Sequence, residues 1–318
     1  MITSEKIINY ISKNSQATGK ELTDYLGISD RGTRKQLKRL TEKNILQKIG
    51  KPPKVYYLLA SERKSREVIR LNKNALKIIN KRYLYITPTG EAKEGWDGFL
   101  AWCEKTKQNP IKTSTQYIAA LKKFDKFRKN NLINGMPKMK NTFKNVYLDK
   151  LFYLDFYSIE RFGKTKLGQT LLYAKQSQNR HLIRKLIDQI RLDILKVIKK
   201  EHVNGVLFVP PTVKREIQFM KELEKQLRLP VRNLSVAKIK TEIMVPQKTL
   251  SRLEDRIENA KKTIIVEEKS EYENILLIDD AVGSGATMNE TGKQIKNRRL
   301  AKRNIVGLAI TGSFKVVL

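Results

Sequence analysis

Cysteine is almost missing from this chain. Cys103 stands alone among 318 residues, so no internal disulfide can form and no four-cysteine zinc ribbon can be built. Beside Trp102 it reads as a small core residue. Histidine is nearly as scarce, and His181 and His202 lie in polar helical surroundings with no ligand-like pattern around them. Carboxylates are outnumbered two to one, 32 against 65 Lys plus Arg, for a net charge of +33 and a pI near 10.1. No apolar run approaches a membrane span, and Met1 to Lys13 lacks the apolar core of a signal peptide. A cytoplasmic protein with no membrane partner is the expectation.

The cationic excess is not parked in a tail. Cations stand at 12 against 5 carboxylates in residues 1–60, 21 against 8 in 61–150 and 32 against 19 in 151–318. A long polyanion can therefore touch several parts of the chain, and a lysine-rich proteome is the competing explanation of the same counts. At this length and with 40% hydrophobic residues, about two domains with proper cores are expected.

The most informative segment runs from Ile275 to Thr287, Ile-Leu-Leu-Ile-Asp-Asp-Ala-Val-Gly-Ser-Gly-Ala-Thr. An apolar run ending in Asp279 and Asp280, then a glycine-rich turn, reads as a buried parallel strand delivering acids to a phosphate-sized loop. Backbone N–H groups from Gly283 to Thr287 can wrap a phosphate, and a following helix adds its positive end. The plainer alternative is a strand whose Asp-Asp end caps the next helix, with Gly285 as a tight turn. Upstream, Gly205 to Val209 reads as a second short strand, followed by Pro210, Pro211, Thr212, Val213, Lys214 and Arg215, a basic loop suited to a diphosphate.

Asp279-Asp280-Ala281-Val282-Gly283-Ser284-Gly285-Ala286-Thr287 resembles the phosphoribosyl-diphosphate (PRPP) motif of type I phosphoribosyltransferases. Gly283 stands where that family usually has Thr or Ser, which removes one hydroxyl while Ser284 and Thr287 remain. The surroundings are similar to the competence protein F (ComF) subgroup. Arg215 is followed by Gln218, a Gln-x-x-Leu-x-x-x-x-x-Arg-x-x-Asn pattern is met by Gln247, Leu250, Arg256 and Asn259, and Leu171-Leu172-Tyr173-Ala174-Lys175 looks like the subgroup's Leu-Lys-Tyr region. The resemblance covers roughly residues 148–318. It implies that Asp279 and Asp280 hold ribose, Gly283 to Thr287 the 5-phosphate, and Lys214 and Arg215 the diphosphate. PRPP is then the ligand, with Mg²⁺ bridging through the diphosphate rather than held by side chains. No catalytic residue is identified. Residues Gln247 to Asn259 also read as a charged amphipathic helix capped by Thr249 or Ser251, and the two descriptions are compatible.

Residues 4–59 carry an independent signal. Ile7, Ile8 and Ile11 have helical spacing, Gly19 to Leu26 forms a second helix, Gly27-Ile28-Ser29 a turn, and Asp30 caps a basic third helix. Ile45 to Ile49 and Lys54 to Leu59 read as strands around a wing at Gly50-Lys51-Pro52-Pro53. This is the order of a winged helix-turn-helix. Leu37 and Leu40 face inward, while Arg31, Thr33, Arg34, Lys35, Lys38 and Arg39 are expected on the exposed side, with Lys51 and Lys54 at the wing, to contact DNA. Protein contact is the alternative use of such a domain, and no target sequence follows from Arg and Lys alone.

Residues 61–147 are the least legible. Ser61 to Lys81 looks like a charged helix, Tyr83 to Ile86 a strand, and Thr87-Pro88-Thr89-Gly90 a turn. Trp96, Phe99, Leu100 and Trp102 form an apolar face, and Tyr117 to Phe127 is amphipathic until Asn130 to Lys140 breaks it. Such a stripe is usually core, with a base-stacking platform as the alternative. The segment is read as a mainly helical connector or a homodimerisation element. The expected architecture is a winged helix domain at 1–60, this connector at 61–147, and at 148–318 an α/β, mostly parallel, phosphoribosyltransferase-like domain whose helices over Leu167 to Lys199 cover one sheet face. Three functions fit it. The first is a ligand-sensing transcriptional regulator, DNA-bound and responsive to PRPP or another phosphoribosyl nucleotide, the domain combination of purine operon repressors. The others are an active phosphoribosyltransferase and a ComF-like factor in DNA uptake or recombination.

Overall fold

The computed structural model describes residues 2–60, 71–211, 215–239, 242–243 and 245–313, without the side chains of Lys51, Lys54 and Lys248. The chain divides into two compact units, Met1–Arg70 and Leu71–Leu318.

In the first unit, α1 (Thr3–Asn14), β1 (Ala17–Thr18), α2 (Gly19–Leu26), α3 (Asp30–Glu42), β2 (Leu46–Lys51) and β3 (Lys54–Leu59) follow in order. The strands form an antiparallel sheet, β1-β3-β2, with Lys51 opposite Lys54 at the wing. Ile7 and Ile11, one turn apart on α1, meet Leu22, Leu37, Leu40 and Leu46 in a closed core. Thr18 and Glu21 cap α2 reciprocally: the Glu21 amide donates to Thr18 Oγ1 (3.2 Å) and the Thr18 amide to Glu21 Oε2 (2.7 Å). The cap of α3 is Ser29 rather than Asp30. Ser29 is in extended backbone and its Oγ accepts from the Gly32 amide at 3.2 Å. Asp30 is the first helical residue, where its charge suits the helix's positive end.

The second unit begins with α4 (Lys73–Arg82), the hairpin β4 (Leu84–Ile86) and β5 (Ala92–Glu94), α5 (Gly95–Lys105) and α6 (Pro110–Asp125). Then come β6 (Arg128–Lys129), β7 (Leu132–Asn134), α7 (Met136–Thr142), β8 (Lys150–Phe156), α8 (Lys166–Gln176), α9 (Arg180–Lys200) and β9 (Gly205–Phe208). The chain continues through α10 (Phe219–Leu227), β10 (Arg232–Asn233), β11 (Val236–Lys238), α11 (Leu253–Thr263), β12 (Ile264–Val266), β13 (Tyr272–Val282), α12 (Ala286–Asn297) and β14 (Ala301–Gly312). Seven strands pair in the order β10-β9-β13-β14-β8-β7-β6. The first five are parallel and β7 and β6 are antiparallel. This is a mixed α/β unit built on a mostly parallel sheet.

Both faces of the sheet are covered, which is why β13 reads as an unbroken apolar run. Leu276 and Ile278 enter a cluster with Leu171 of α8, Ile190 of α9 and Leu223 of α10. Their neighbours Ile275 and Leu277 point the other way, into a cluster with Met288 and Ile295 of α12.

Residues 71–147 differ from a connector. Ile79, Phe99, Tyr117, Phe124, Met139 and Phe143 belong to the same cluster as Ile275 and Leu277, and β6 and β7 extend the sheet itself. The aromatic stripe is therefore core, with Phe99 and Tyr117 fully buried and their ring centroids 5.6 Å apart. Residues so apolar lose too much by staying in water, and the sheet offers the face that shelters them. The expected helix over Ser61 to Lys81 is found as α4 from Lys73, and its residues 61–70 lie outside the described residues. Arg128 ties the hairpin to the sheet, reaching Asp155 at 2.5 Å and donating to the Leu154 carbonyl at 2.7 Å.

Helix α8 lies so close to the end of β8 that a methyl group on Gly168 would sit 2.3 Å from the Tyr157 carbonyl oxygen. Gly168→Ala raises helix propensity by about 1 kcal/mol, yet the clash should outweigh it and lower the urea midpoint. A midpoint equal to or above wild type would show that α8 does not pack this tightly.

Candidate functional sites

On α3, one face carries charge and the other packs. Arg31, Arg34, Lys35, Lys38 and Arg39 are exposed, while Thr33, Leu37 and Leu40 are buried. Positions 33, 37 and 40 are spaced to share one side, so Thr33, expected on the DNA-facing surface, belongs instead to the core, its hydroxyl donating to the Ser29 carbonyl at 3.3 Å. Arg34 pairs with Asp30 at 2.5 Å and Lys38 with Glu42 at 3.8 Å, both pairs well exposed. Exposed i,i+4 pairs are worth only a few tenths of a kcal/mol and yield readily to a phosphate. Arg31, Lys35 and Arg39 have no ion pair among the described residues. The side chains of Lys51 and Lys54 lie outside the described residues.

In the second unit, the C-terminal ends of β9 and β13 open into a cleft of about 540 Å³. It is lined by Asp279, Asp280, Ala281, Val282, Gly283, Ser284, Gly285, Ala286 and Thr287, together with Arg215, Gln247 and Arg256. Lys214 lies outside the described residues. Segments far apart along the sequence thus converge, because parallel strands bring their C-terminal loops to one sheet edge.

The loop has a specific shape. Strand pairing ends at Val282, opposite Gly312, and Gly285 has φ +90° before α12 begins at Ala286. A side chain there would be strained by conformation and also blocked, because a Cβ would meet Met139 Sδ at 2.5 Å. Ser284 Oγ accepts from the Ala286 amide at 3.3 Å. The amides of Ser284, Gly285, Thr287 and Met288 find no acceptor among the described residues, as expected of a helix N-terminus. These free donors sit at the positive end of a 12-residue helix, an arrangement that favours an anion.

The two acids differ. Asp280 pairs with the ammonium of Lys175 on α8, and its amide donates to Asp279 Oδ1 at 2.7 Å. Burial pushes the Asp279 carboxyl up to about 7, the neighbouring Asp280 carboxylate adds to the rise, and Lys175 with the Asp280 amide opposes it. The Lys175 carbonyl accepts from the Arg215 guanidinium, so both cations are fixed relative to the acid pair. Tyr157 is raised by its own burial and by Asp280.

Gln247, Leu250, Arg256 and Asn259 form one knot. The Gln247 side-chain amide donates to the Arg256 carbonyl (2.9 Å) and to Asn259 Oδ1 (3.3 Å), and Arg256 Nε donates to the Leu250 carbonyl (2.8 Å). The spacing therefore pins a 3₁₀ turn at Gln247–Thr249 against α11, whose N-cap is Arg252 rather than Thr249 or Ser251. Sequence reasoning misses Lys175, Tyr157 and Met139 as site residues. For Lys175 the Leu171-to-Lys175 resemblance is the available signal. Nothing local marks Met139, whose contact with Gly285 spans more than 140 residues of chain.

Residues 2–47 match the winged helix-turn-helix DNA-binding family, and the unit built by α1, α2, α3 and β2 is that domain. No curated protein matches the chain. Among the described residues, no helix is long and apolar enough to cross a membrane. The N-terminal unit is a winged helix-turn-helix DNA-binding domain, which supports DNA as a partner and a DNA-binding regulator as the role.

Proposed function

We propose that the protein is a transcriptional regulator whose second unit senses PRPP or another phosphoribosyl nucleotide. The observation that carries this reading is the convergence of Asp279 to Thr287 with Arg215, Gln247 and Arg256 around one cleft. Its volume suits a nucleotide-sized ligand, and its lining includes Arg215, Arg256 and the turn whose free amides open α12. Ribose hydroxyls would meet Asp279 and Asp280, the 5-phosphate the Gly283-to-Thr287 turn, and the diphosphate Arg215 and Lys214, with Mg²⁺ bridging its oxygens. Lys175 holds Asp280, so a ribose diol has to share or displace that ammonium. A second reading, phosphoribosyl transfer to a nitrogenous acceptor, is favoured by the cleft's apolar wall of Leu171, Leu172, Phe219 and Met220, which could receive a base.

Sensing requires that the ligand bind the DNA-competent and DNA-incompetent states unequally, because equal affinity shifts nothing. DNA titrations with and without saturating Mg²⁺-PRPP at matched ionic strength should differ by roughly 5- to 150-fold, and inorganic diphosphate should not reproduce the change. Gly285→Val should abolish it. Diphosphate release on adding acceptor bases, with no effect on DNA affinity, would replace the sensor by the transferase.

DNA contact should follow the exposed face of α3. Alanine at Arg31, Lys35 and Arg39 should weaken duplex binding and flatten the salt dependence by about one unit for each phosphate no longer neutralised. Thr33→Val should leave duplex affinity unchanged, and an affinity lowered by Thr33→Val alone, in a protein that folds as stably as wild type, would place Thr33 at the DNA.

Ligand binding should also carry a proton signature. Hydroxyl donors favour ionised Asp279, whose carboxyl is otherwise held up to about 7, so below that pH binding releases a proton. PRPP affinity should therefore rise as pH approaches about 7 and then level off, with proton release measured by calorimetry in buffers of different ionisation enthalpy. Asp279→Asn should remove the protein's share of that release, and identical proton counts in the two proteins would eliminate Asp279 from the ligand contact.

A further inference from the structure

The second unit has another concavity, of about 990 Å³, which shares no lining residue with the cleft. It lies beside the antiparallel edge β6–β7 and the first half of β8. Five ammonium groups border it, Lys126, Lys129, Lys140, Lys150 and Lys200, against one lining carboxylate, Asp149. That carboxylate is occupied, since Asp149 Oδ2 accepts from the Ile305 amide at 2.7 Å. Lys150 pairs with Glu201 at 2.6 Å. Among the described residues no carboxylate lies within ion-pair distance of the other four.

Cations gathered around one hollow repel each other unless a partner brings negative charge. Lysines on a sheet edge have an ordinary use, to block pairing with another chain, and that accounts for Lys129 and for Lys126 just before the strand. It does not account for Lys140 on α7 or Lys200 at the end of α9, neither of which is on the edge strand. Two half-buried rings, Phe127 and Phe152, floor the groove, with the Lys200 ammonium 6.0 Å from the Phe152 ring centroid. Separate flexible ammonium groups over an open groove suit a run of phosphates better than one compact anion, for which a planar guanidinium fork or a glycine turn is the usual holder. We propose that this groove is a second DNA contact, binding the phosphodiester backbone without reading sequence. It is independent of what the cleft binds.

The test uses the full chain, a labelled duplex of arbitrary sequence and a salt series. Replacing Lys126, Lys129, Lys140 and Lys200 by Gln should flatten the log-affinity against log-salt slope by about 3.6 units. The effect should persist when Arg31, Lys35 and Arg39 are already Ala, and the four-fold Lys→Arg variant should keep the wild-type slope. Amine-reactive labelling of the unaltered protein, read by mass spectrometry, should show these four lysines protected by DNA and exposed Lys262 unprotected. An unchanged slope in both backgrounds, or equal labelling with and without DNA, overturns the proposal and leaves the lysines as edge guards and solvated surface charge.

Discussion

A strand buried on both faces can carry polar groups only where it leaves the sheet, and the second unit is arranged around that constraint. Strand β13 is flanked by β9 and β14 and covered by helices on either side, so from Ile275 to Ile278 every side chain is apolar and fully buried. Asp279 and Asp280 come at the first positions where the cover thins. Burial still acts on Asp279 strongly enough to move its carboxyl up to about 7. Asp280 faces Lys175, whose helix α8 packs through Gly168 against Tyr157 at the end of β8. The acid pair thus depends on the helix packing, and the helix packing on the absence of one methyl group.

The turn after the acids depends on a distant segment in the same way. Gly285 is required by its φ of +90° and again by Met139, which fills the space a side chain would need. Helix α7 is held near by Gly135, whose amide donates to the Leu151 carbonyl at 2.8 Å, and by the Asn134 side chain, which accepts from the Met136 amide at 3.0 Å. Helix α12 is anchored from the other side. Asn289 accepts from the Tyr147 amide at 2.9 Å and donates to the Asn145 carbonyl at 3.0 Å. Residues 134–147 therefore brace both the loop and the helix that follows it, although the loop's own sequence contains no sign of them.

What could be read from the chain alone follows the range of the interactions. The winged helix is legible because its determinants are local: isoleucines one turn apart, a Gly27-Ile28-Ser29 turn ahead of α3, and a wing whose Gly50 has φ +82°. Its errors are also local. Thr33 is small and polar, so composition alone sends it outward, whereas the 33-37-40 spacing turns it in. The β13 strand and its loop are legible for the same reason, since apolar run, acids and glycines are contiguous. Strands β6 and β7 are two and three residues long and acquire their identity only by pairing with β8, so no period of two could reveal them. Glu94 is a further case. It lies beyond a turn in an unremarkable Lys-Glu-Gly stretch, yet it accepts from Lys166 at 2.8 Å and Lys185 at 2.6 Å, and these bonds hold its carboxyl down at about 2.

The Gln247-to-Asn259 spacing has a structural use that does not depend on ligand contact. Gln247 and Asn259 are joined by a side-chain hydrogen bond, and Arg256 spends its Nε on the Leu250 carbonyl, so all four residues of the pattern are bound to each other. Their first task is to hold the Gln247–Thr249 turn against α11 in one conformation. Arg256 and Gln247 also line the cleft. A ligand reaching Arg256 would press on a side chain already anchored at Nε, and the knot would transmit that pressure to α11 and to α12, against which α11 packs. Helix α12 in turn supplies the amides of the Ser284-to-Met288 turn. On the proposed reading, the Gln247 turn and the phosphate turn are therefore joined through the packing of α11 on α12.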